Sequence, residues 1–258
     1  MGKIIAVANQ KGGVGKTTTA INLGSSIAAA DRKTLVVDID PQANLTSGLG
    51  LKASPLKGTT YDVLVQQVPV ADFIVDTELD SLKVVPSERN LTGAEIELVN
   101  EPDRETRLKE ALKPVEPLFD YILIDCPPSL GLLTLNALVA ADTVLIPLQC
   151  EFYALEGVTE LMSTVKRVQS NFNPQLAVEG ILLTMFDERT NLSAQVMEDV
   201  RRHLSYAVFD SVVPRNIRLA EAPSFGKPIL LYDIRSRGAE AYLALAKEIL
   251  EHEKKSPR

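Results

Sequence analysis

The sequence predicts an α/β fold, a doubly wound and mostly parallel β-sheet with helices on both faces. Three observations carry that expectation. Short apolar runs alternate with longer amphipathic segments along the chain. Most of those runs are continuous in β-branched residues and leucine, as in strands covered on both faces. The first of them passes through a glycine-rich turn straight into a helix-prone segment.

Taken in order, strands are expected at 3–8, 34–39, 82–85, 121–125, 143–148, 178–184 and 208–213. Helices are expected at 16–30, 104–113, 132–140, 155–170, 192–205 and 238–252. The stretch 51–100 is the least regular. Its Ser54-Pro55, Lys57-Gly58 and Val68-Pro69 pairs mark turns, so it reads as short helices and turns around one strand. One domain, 1–258, is expected at this length, with a polar tail at 252–258 that frays. In such sheets ligands bind beyond the carboxyl ends of the strands. Gln10, Asp40 and Asp125 all fall at strand ends, which points to one site.

Composition narrows the function. The net charge is −7, so any contact with DNA must rest on a local basic face. Two cysteines, Cys126 and Cys150, form no disulfide framework and suit a reducing cytoplasm. The first strand starts at the N-terminus with no signal peptide before it, and no apolar stretch reaches the ~20 residues of a membrane span. Tryptophan is absent and aromatics are 5%, which disfavours a stacking surface for single-stranded nucleic acid.

Three motifs carry chemistry. The first is Asn9-Gln10-Lys11-Gly12-Gly13-Val14-Gly15-Lys16-Thr17-Thr18-Thr19. Glycines let backbone N–H groups close around phosphate oxygens, and the positive end of the next helix favours the anion. Lys16 would reach the β- and γ-phosphates, and the Thr17 hydroxyl would meet Mg²⁺. The usual phosphate loop has a glycine where Gln10 stands, and Lys11 is an additional lysine. The second motif, Asp38-Ile39-Asp40-Pro41-Gln42, ends a strand. Asp40 at its exit would orient a water near the γ-phosphate or touch the Mg²⁺ shell, with Asp38 as a supporting acid. The third, Tyr121-Ile122-Leu123-Ile124-Asp125-Cys126-Pro127-Pro128, has the Walker B pattern, in which Asp125 holds Mg²⁺ directly or through a water.

With these motifs the chain resembles the small, chromosomal ParA (Soj-like) ATPases. The Lys11–Thr19 loop is similar to the deviant Walker A motif of the P-loop group that holds ParA, MinD and the nitrogenase iron protein. Further resemblance lies in Asp125–Ser129, Leu133–Leu138, Tyr153–Gly157, Val213–Asn216 and Leu219–Pro228. It implies a homodimer that sandwiches two ATP molecules, with Lys16 and Thr17 acting in cis and Lys11 reaching the partner's phosphates. Residues Lys11, Gly12, Gly13, Val14, Gly15, Lys16, Thr17 and Thr18 would cradle ATP, and Pro214 and Asn216 would lie near adenine. Lys11, Lys16 and Asp40 would serve catalysis. Thr17, Asp125 through a water, and Asp40 as a further candidate would serve Mg²⁺. The resemblance further implies a bacterial, nucleoid-associated protein whose ATP-bound dimer binds double-stranded DNA without sequence preference. A ParB-type centromere-binding protein would stimulate hydrolysis and release it.

Basic residues gather in the last third of the chain; the resemblance implies that DNA-binding residues lie in this region, where Arg189 and Arg218 match best and Arg215 and Lys247 are further candidates. Two other readings compete within the group. A MinD-like division-site ATPase would need a C-terminal helix that grips membrane, yet here the apolar positions of 241–255 suit packing on the core and the polar side mixes Glu with Lys. A shared iron–sulfur cluster would need a different cysteine spacing. A nucleotide-gated scaffold with negligible turnover is the alternative from another class.

Overall fold

The computed structural model describes residues 2–51, 56–151 and 154–255. Ser54 and Pro55 of the proposed turn, Tyr153 of the fourth family stretch, and 256–258 of the tail lie outside the described residues. The strands are β1 (Lys3–Val7), β2 (Thr34–Asp38), β3 (Val75–Asp76), β4 (Leu82–Val85), β5 (Tyr121–Asp125), β6 (Thr143–Gln149), β7 (Ala177–Phe186) and β8 (Val208–Pro214). They form one sheet in the order β3-β4-β2-β5-β1-β6-β7-β8. Every pairing is parallel except β3 with β4.

Alternation of side chains explains why the strand sequences are continuously apolar. Successive residues of a strand point to opposite faces. Ile4, Ala6, Val37, Ile122, Ile124 and Ile146 enter one core, while Ile5, Val7, Val36, Leu123 and Leu145 enter the other. The first core is closed by α4 (Leu91–Glu97), α5 (Arg107–Leu112), α6 (Leu132–Ala140), α7 (Ala154–Asn171) and α8 (Asn191–His203). The second is closed by α1 (Lys16–Ala28), α2 (Asn44–Gly48), α9 (Ile217–Glu221), α10 (Ile229–Tyr232) and α11 (Arg237–Lys255). Helix α1 lies tight on the sheet at Gly24, where a Cβ would stand 2.9 Å from Val36 Cγ2 and 3.2 Å from Leu123 Cδ1.

Beyond small shifts at element ends and the short helices α2, α9 and α10, which no expected helix covers, the structure departs from expectation in three places. Among its described residues the stretch 51–100 holds two strands, because the two-residue edge strand β3 runs antiparallel to β4; α3 (Thr60–Leu64) precedes it. Helix α5 starts at Arg107 rather than 104, since Asp103 is left-handed at φ 54 and the Arg104 carbonyl accepts from Asn136 Nδ2. Helix α11 continues through Lys255, so the first residues of the expected tail are helical. Its residues Ala239, Tyr242, Leu245, Ala246 and Ile249 are buried in the second core.

Register places the motif acids side by side. Val7 and Asp38 are both lateral partners of Asp125, so the exits of β1, β2 and β5 end level. The site forms there.

Candidate functional site

The loop after β1 is held at both ends. Asn9 donates from Nδ2 to the Pro147 carbonyl at 2.7 Å and accepts the Lys11 N–H on Oδ1 at 3.0 Å. Val14 is buried, and its carbonyl accepts from Thr184 Oγ1 at 2.8 Å. Between these anchors Gly13 and Gly15 take φ values of 75° and 90°, a region closed to most side chains. Gly15 is the N-cap of α1 and makes no side-chain cap, so the orphan N–H groups of the first turn have no capping side chain. Asn9 opens the glycine-rich motif, but its anchoring bond to Pro147 depends on a distant strand, and the Thr184 hydroxyl at a strand end carries no motif of its own.

Lys16 is 6% exposed, and its Nζ donates to the Lys11 carbonyl at 3.1 Å. Burial lowers its pKa, against the opposing pull of Asp125, Cys126 and Asp40. Lys11 points elsewhere: its Nζ pairs with Glu151 Oε2 at 3.0 Å.

The three acids differ in their surroundings. Asp38 is fully buried and saturated, accepting on Oδ1 from the Asp40 N–H and on Oδ2 from the Thr46 N–H and hydroxyl. Burial outweighs those bonds and pushes its pKa up to about 6. Asp40 accepts the Gln42 N–H on Oδ1 at 2.9 Å. Asp125 is fully buried with no hydrogen-bond partner for either oxygen. Burial, then the charge of Asp38, raises its pKa well above the usual carboxylate range. The Thr17 hydroxyl opposes that rise without completing a hydrogen bond.

A buried carboxylate with two bare oxygens is costly unless something positive meets it. Asp125 beside Thr17 and Lys16, at the mouth of a backbone anion cradle, fits a hard divalent cation shared with a phosphate. Among the described residues no group of three or more His, Cys, Asp or Glu is placed to hold a metal alone. A cation here would therefore take its other ligands from the Thr17 hydroxyl, phosphate and water. Cys126 and Cys150 are buried free thiols; burial raises the first well above its usual value and the second to about 11.

Pro214 ends β8 opposite Phe186 of β7, two residues beyond the loop anchor Thr184. Asn216 caps α9, its Oδ1 accepting the Leu219 N–H at 3.3 Å. Arg189 and Arg215 come together around Asp187, which Arg189 grips with two bonds at 2.9 and 2.7 Å and whose carboxyl Arg189, with help from Arg215, holds far below its usual pKa. Arg218 lies on α9, paired with Glu221 at 2.9 Å and Asp233 at 3.6 Å. Lys247 stands farther along α11, near Glu251 at 3.9 Å. Helix α11 begins beside this group, where Arg237 pairs with Glu188, so Lys247 lies about 15 Å away along the helix axis.

Comparison with known proteins agrees with this geometry. The model of a family described as an AAA domain matches residues 2–178. The chain is 58% identical over 259 residues to the chromosome partitioning protein ParA of Myxococcus xanthus, covering 100% of this chain and 92% of that protein. It is 57% identical to the sporulation initiation inhibitor protein Soj of Bacillus subtilis, covering 96% and 98%. Among solved structures, cobyrinic acid a,c-diamide synthase from Mycobacterium smegmatis, with a bound ATP analog and magnesium, superposes with a TM-score of 0.87 at 38% identity, covering 100% and 98%. Identity near 60% over essentially the full length of the partitioning proteins, together with a phosphate loop and two strand-end acids, makes this chain a member of the ParA/Soj family of chromosome-partitioning ATPases.

Proposed function

We propose that this chain is a slow, Mg²⁺-dependent ATPase switch for chromosome segregation, in which ATP builds a DNA-binding dimer and hydrolysis takes it apart. The bare, buried Asp125 carboxylate beside Lys16 and Thr17 is the observation that carries the reading. Similarity to a synthase solved with an ATP analog and magnesium supports the cofactors. That protein's different name has less weight than the higher identity to the two partitioning relatives.

In this reading Gly12, Gly13, Val14, Gly15 and Thr18 line the phosphate cradle, Lys16 neutralises β- and γ-oxygens, and Thr17 and Asp125 hold Mg²⁺, Asp125 through a water. Bound Mg²⁺ would neutralise charge that develops on the transferred phosphoryl group. Asp40, whose backbone is pinned at the exit of β2, orients the attacking water and lies within reach of the metal shell. Lys11 leaves Glu151 for the partner's phosphates, as an arginine finger would approach. Pro214 and Asn216 contact adenine. Arg189, Arg215, Arg218 and Lys247 meet duplex phosphates without reading bases, which brings the dimer to the nucleoid. A ParB-type protein stimulates hydrolysis and so ends that state.

The burial of one face of α11 in the core disfavours a MinD-like membrane grip, and no described helix is long and apolar enough to cross a membrane. The decisive experiment measures ATP hydrolysis with duplex DNA and a ParB-type partner for wild type and Asp40→Ala. Stimulated turnover that the substitution abolishes is expected. Equal turnover in the two proteins would remove Asp40 from the mechanism, and negligible turnover in both would favour a nucleotide-gated scaffold. ATP-dependent co-sedimentation with anionic liposomes would reinstate the membrane reading.

A further inference from the structure

We infer that Ser87 and Thr46 are positioning residues for Asp40, joined with Asp38 in a closed ring of hydrogen bonds that sets where the Asp40 carboxylate stands. The inference rests on the hydrolytic role proposed above for Asp40.

The ring can be followed bond by bond. Asp38 accepts the Asp40 N–H on Oδ1 at 3.1 Å. Its Oδ2 accepts the Thr46 hydroxyl at 2.7 Å. The Thr46 oxygen in turn accepts the Ser87 N–H at 2.9 Å. The Ser87 hydroxyl donates to the Asp40 carbonyl at 2.9 Å, which closes the circuit. Both peptide groups flanking the Asp40 Cα are thereby fixed, one to β2 through Asp38 and one to the exit of β4 through Ser87. Asp38, Thr46 and Ser87 are no more than 1% exposed, so water does not compete for these bonds.

The placement has chemical consequences. Asp40 follows the last residue of its strand by two and precedes a proline, so no sheet ladder holds it. Among the described residues its side chain accepts only the local Gln42 N–H, which turns with the same loop. Together with the Ile39 N–H bond to the Asp125 carbonyl at 3.1 Å, the ring ties that loop to the sheet. A base or water-orienting group displaced by a fraction of its hydrogen-bond length loses much of its effect. Ser87 and Thr46 also come from two separate segments, the exit of β4 and helix α2, so movement of either would be felt at Asp40.

The circuit can be opened without removing its supports. In Ser87→Ala the Asp40 carbonyl still accepts the Ala43 N–H at 2.9 Å, and in Thr46→Val the Asp38 carboxylate still accepts the residue-46 N–H. Thr46→Ser keeps the hydroxyl and serves as the conservative control. The assay is partner-stimulated ATP turnover, read alongside Mg–ATP affinity and ATP-dependent dimer formation. Ser87→Ala and Thr46→Val are expected to lower kcat about ten-fold, the worth of one hydrogen bond. KM, ATP affinity and dimerisation should stay within two-fold of wild type, and Thr46→Ser should turn over as wild type does. Wild-type kcat in Ser87→Ala, with Asp40→Ala inactive, overturns this inference alone. Parallel losses in ATP affinity or dimerisation also overturn it, because they mark a merely structural role. Wild-type kcat in Asp40→Ala overturns the underlying reading instead.

Discussion

The Lys11 ammonium of the phosphate loop lies 3.0 Å from the Glu151 carboxylate of its own subunit, just beyond the end of β6. Lys16 already occupies the interior of that loop, bonded to the Lys11 carbonyl. A second lysine therefore has no vacancy to fill within one chain. Pairing with Glu151, itself bonded to Gln149, keeps Lys11 extended at the surface and ready to exchange one anion for another.

Removing Glu151 should ease that exchange. The pair is over one-third exposed on both sides, so its worth is at most about 1 kcal/mol. Glu151→Gln is expected to lower the ATP concentration, or the protein concentration, at which dimers form by up to about five-fold. Analytical ultracentrifugation with a slowly hydrolysed ATP analogue measures it. Lys11→Ala should abolish the dimer while ATP still binds. A Glu151→Gln protein that dimerises less readily than wild type would show that the carboxylate supports the assembly.

Gly12 offers a test of the two-subunit site that one subunit cannot confound. A Cβ on Gly12 would meet nothing nearer than Pro128 Cβ at 3.9 Å, and the residue is exposed. Gly12→Val should thus fold and bind nucleotide as wild type, yet fail to dimerise with ATP because the approaching subunit meets the new side chain. By contrast Gly15→Ala forces a Cβ onto a φ of 90° and is expected to destabilise the monomer itself, by about 1 kcal/mol or more, seen as a lower melting temperature. A Gly12→Val dimer would count against the sandwich geometry.

Much of this site was legible in the sequence, for a physical reason. A buried parallel strand needs both faces apolar, so the strand runs stand out, and the first polar residue after each marks the exit where ligands bind. Asp40 and Asp125 are candidates on that ground, and the register shows that β2 and β5 exit together. What stayed hidden depends on contacts between distant segments. Nothing local marks Ser87 as a partner of Asp40, 47 residues away, or Glu151 as a partner of Lys11. The two-residue strand β3 is likewise too short to show a period, and it exists because β4 offers an edge. Asp38 is the instructive case. Its position two residues before Asp40 suggested support, but only the fold reveals that it is the lateral partner of Asp125 and shares its charge problem.

That charge problem predicts a pH dependence. The folded chain holds the Asp38 proton to about pH 6, whereas an unfolded aspartate releases it near 4. Between those values the unfolded state binds fewer protons, so stability falls as pH rises, by on the order of 3 kcal/mol for this group. Asp125, raised further by burial and by Asp38, pushes in the same direction. Nucleotide-free protein should therefore melt at a lower temperature at pH 7 than at pH 5. Mg–ATP should restore stability most at the higher pH, where the cation meets ionised Asp125. EDTA should cancel that gain in wild type and leave Asp125→Asn unaffected. A melting temperature that rises from pH 5 to 7 without nucleotide would refute the assignment.

The arginines of the candidate DNA face are expected to differ in their contributions. Arg189 is held by both oxygens of Asp187, so a DNA phosphate must displace a carboxylate to use it. Among the described residues Arg215 forms no ion pair, and it is exposed beside the same aspartate. Each phosphate neutralised by a cation contributes nearly one to the slope of log affinity against log salt. Arg215→Ala should reduce that slope for the ATP-bound dimer by about one per face, uniformly across sequences. Arg189→Ala should reduce it by less, and Asp187→Asn should increase affinity by freeing Arg189. The measurement is fluorescence anisotropy on unrelated duplexes at several salt concentrations. Salt-independent binding, or a sharp preference for one duplex, would be incompatible with a face that touches only phosphates.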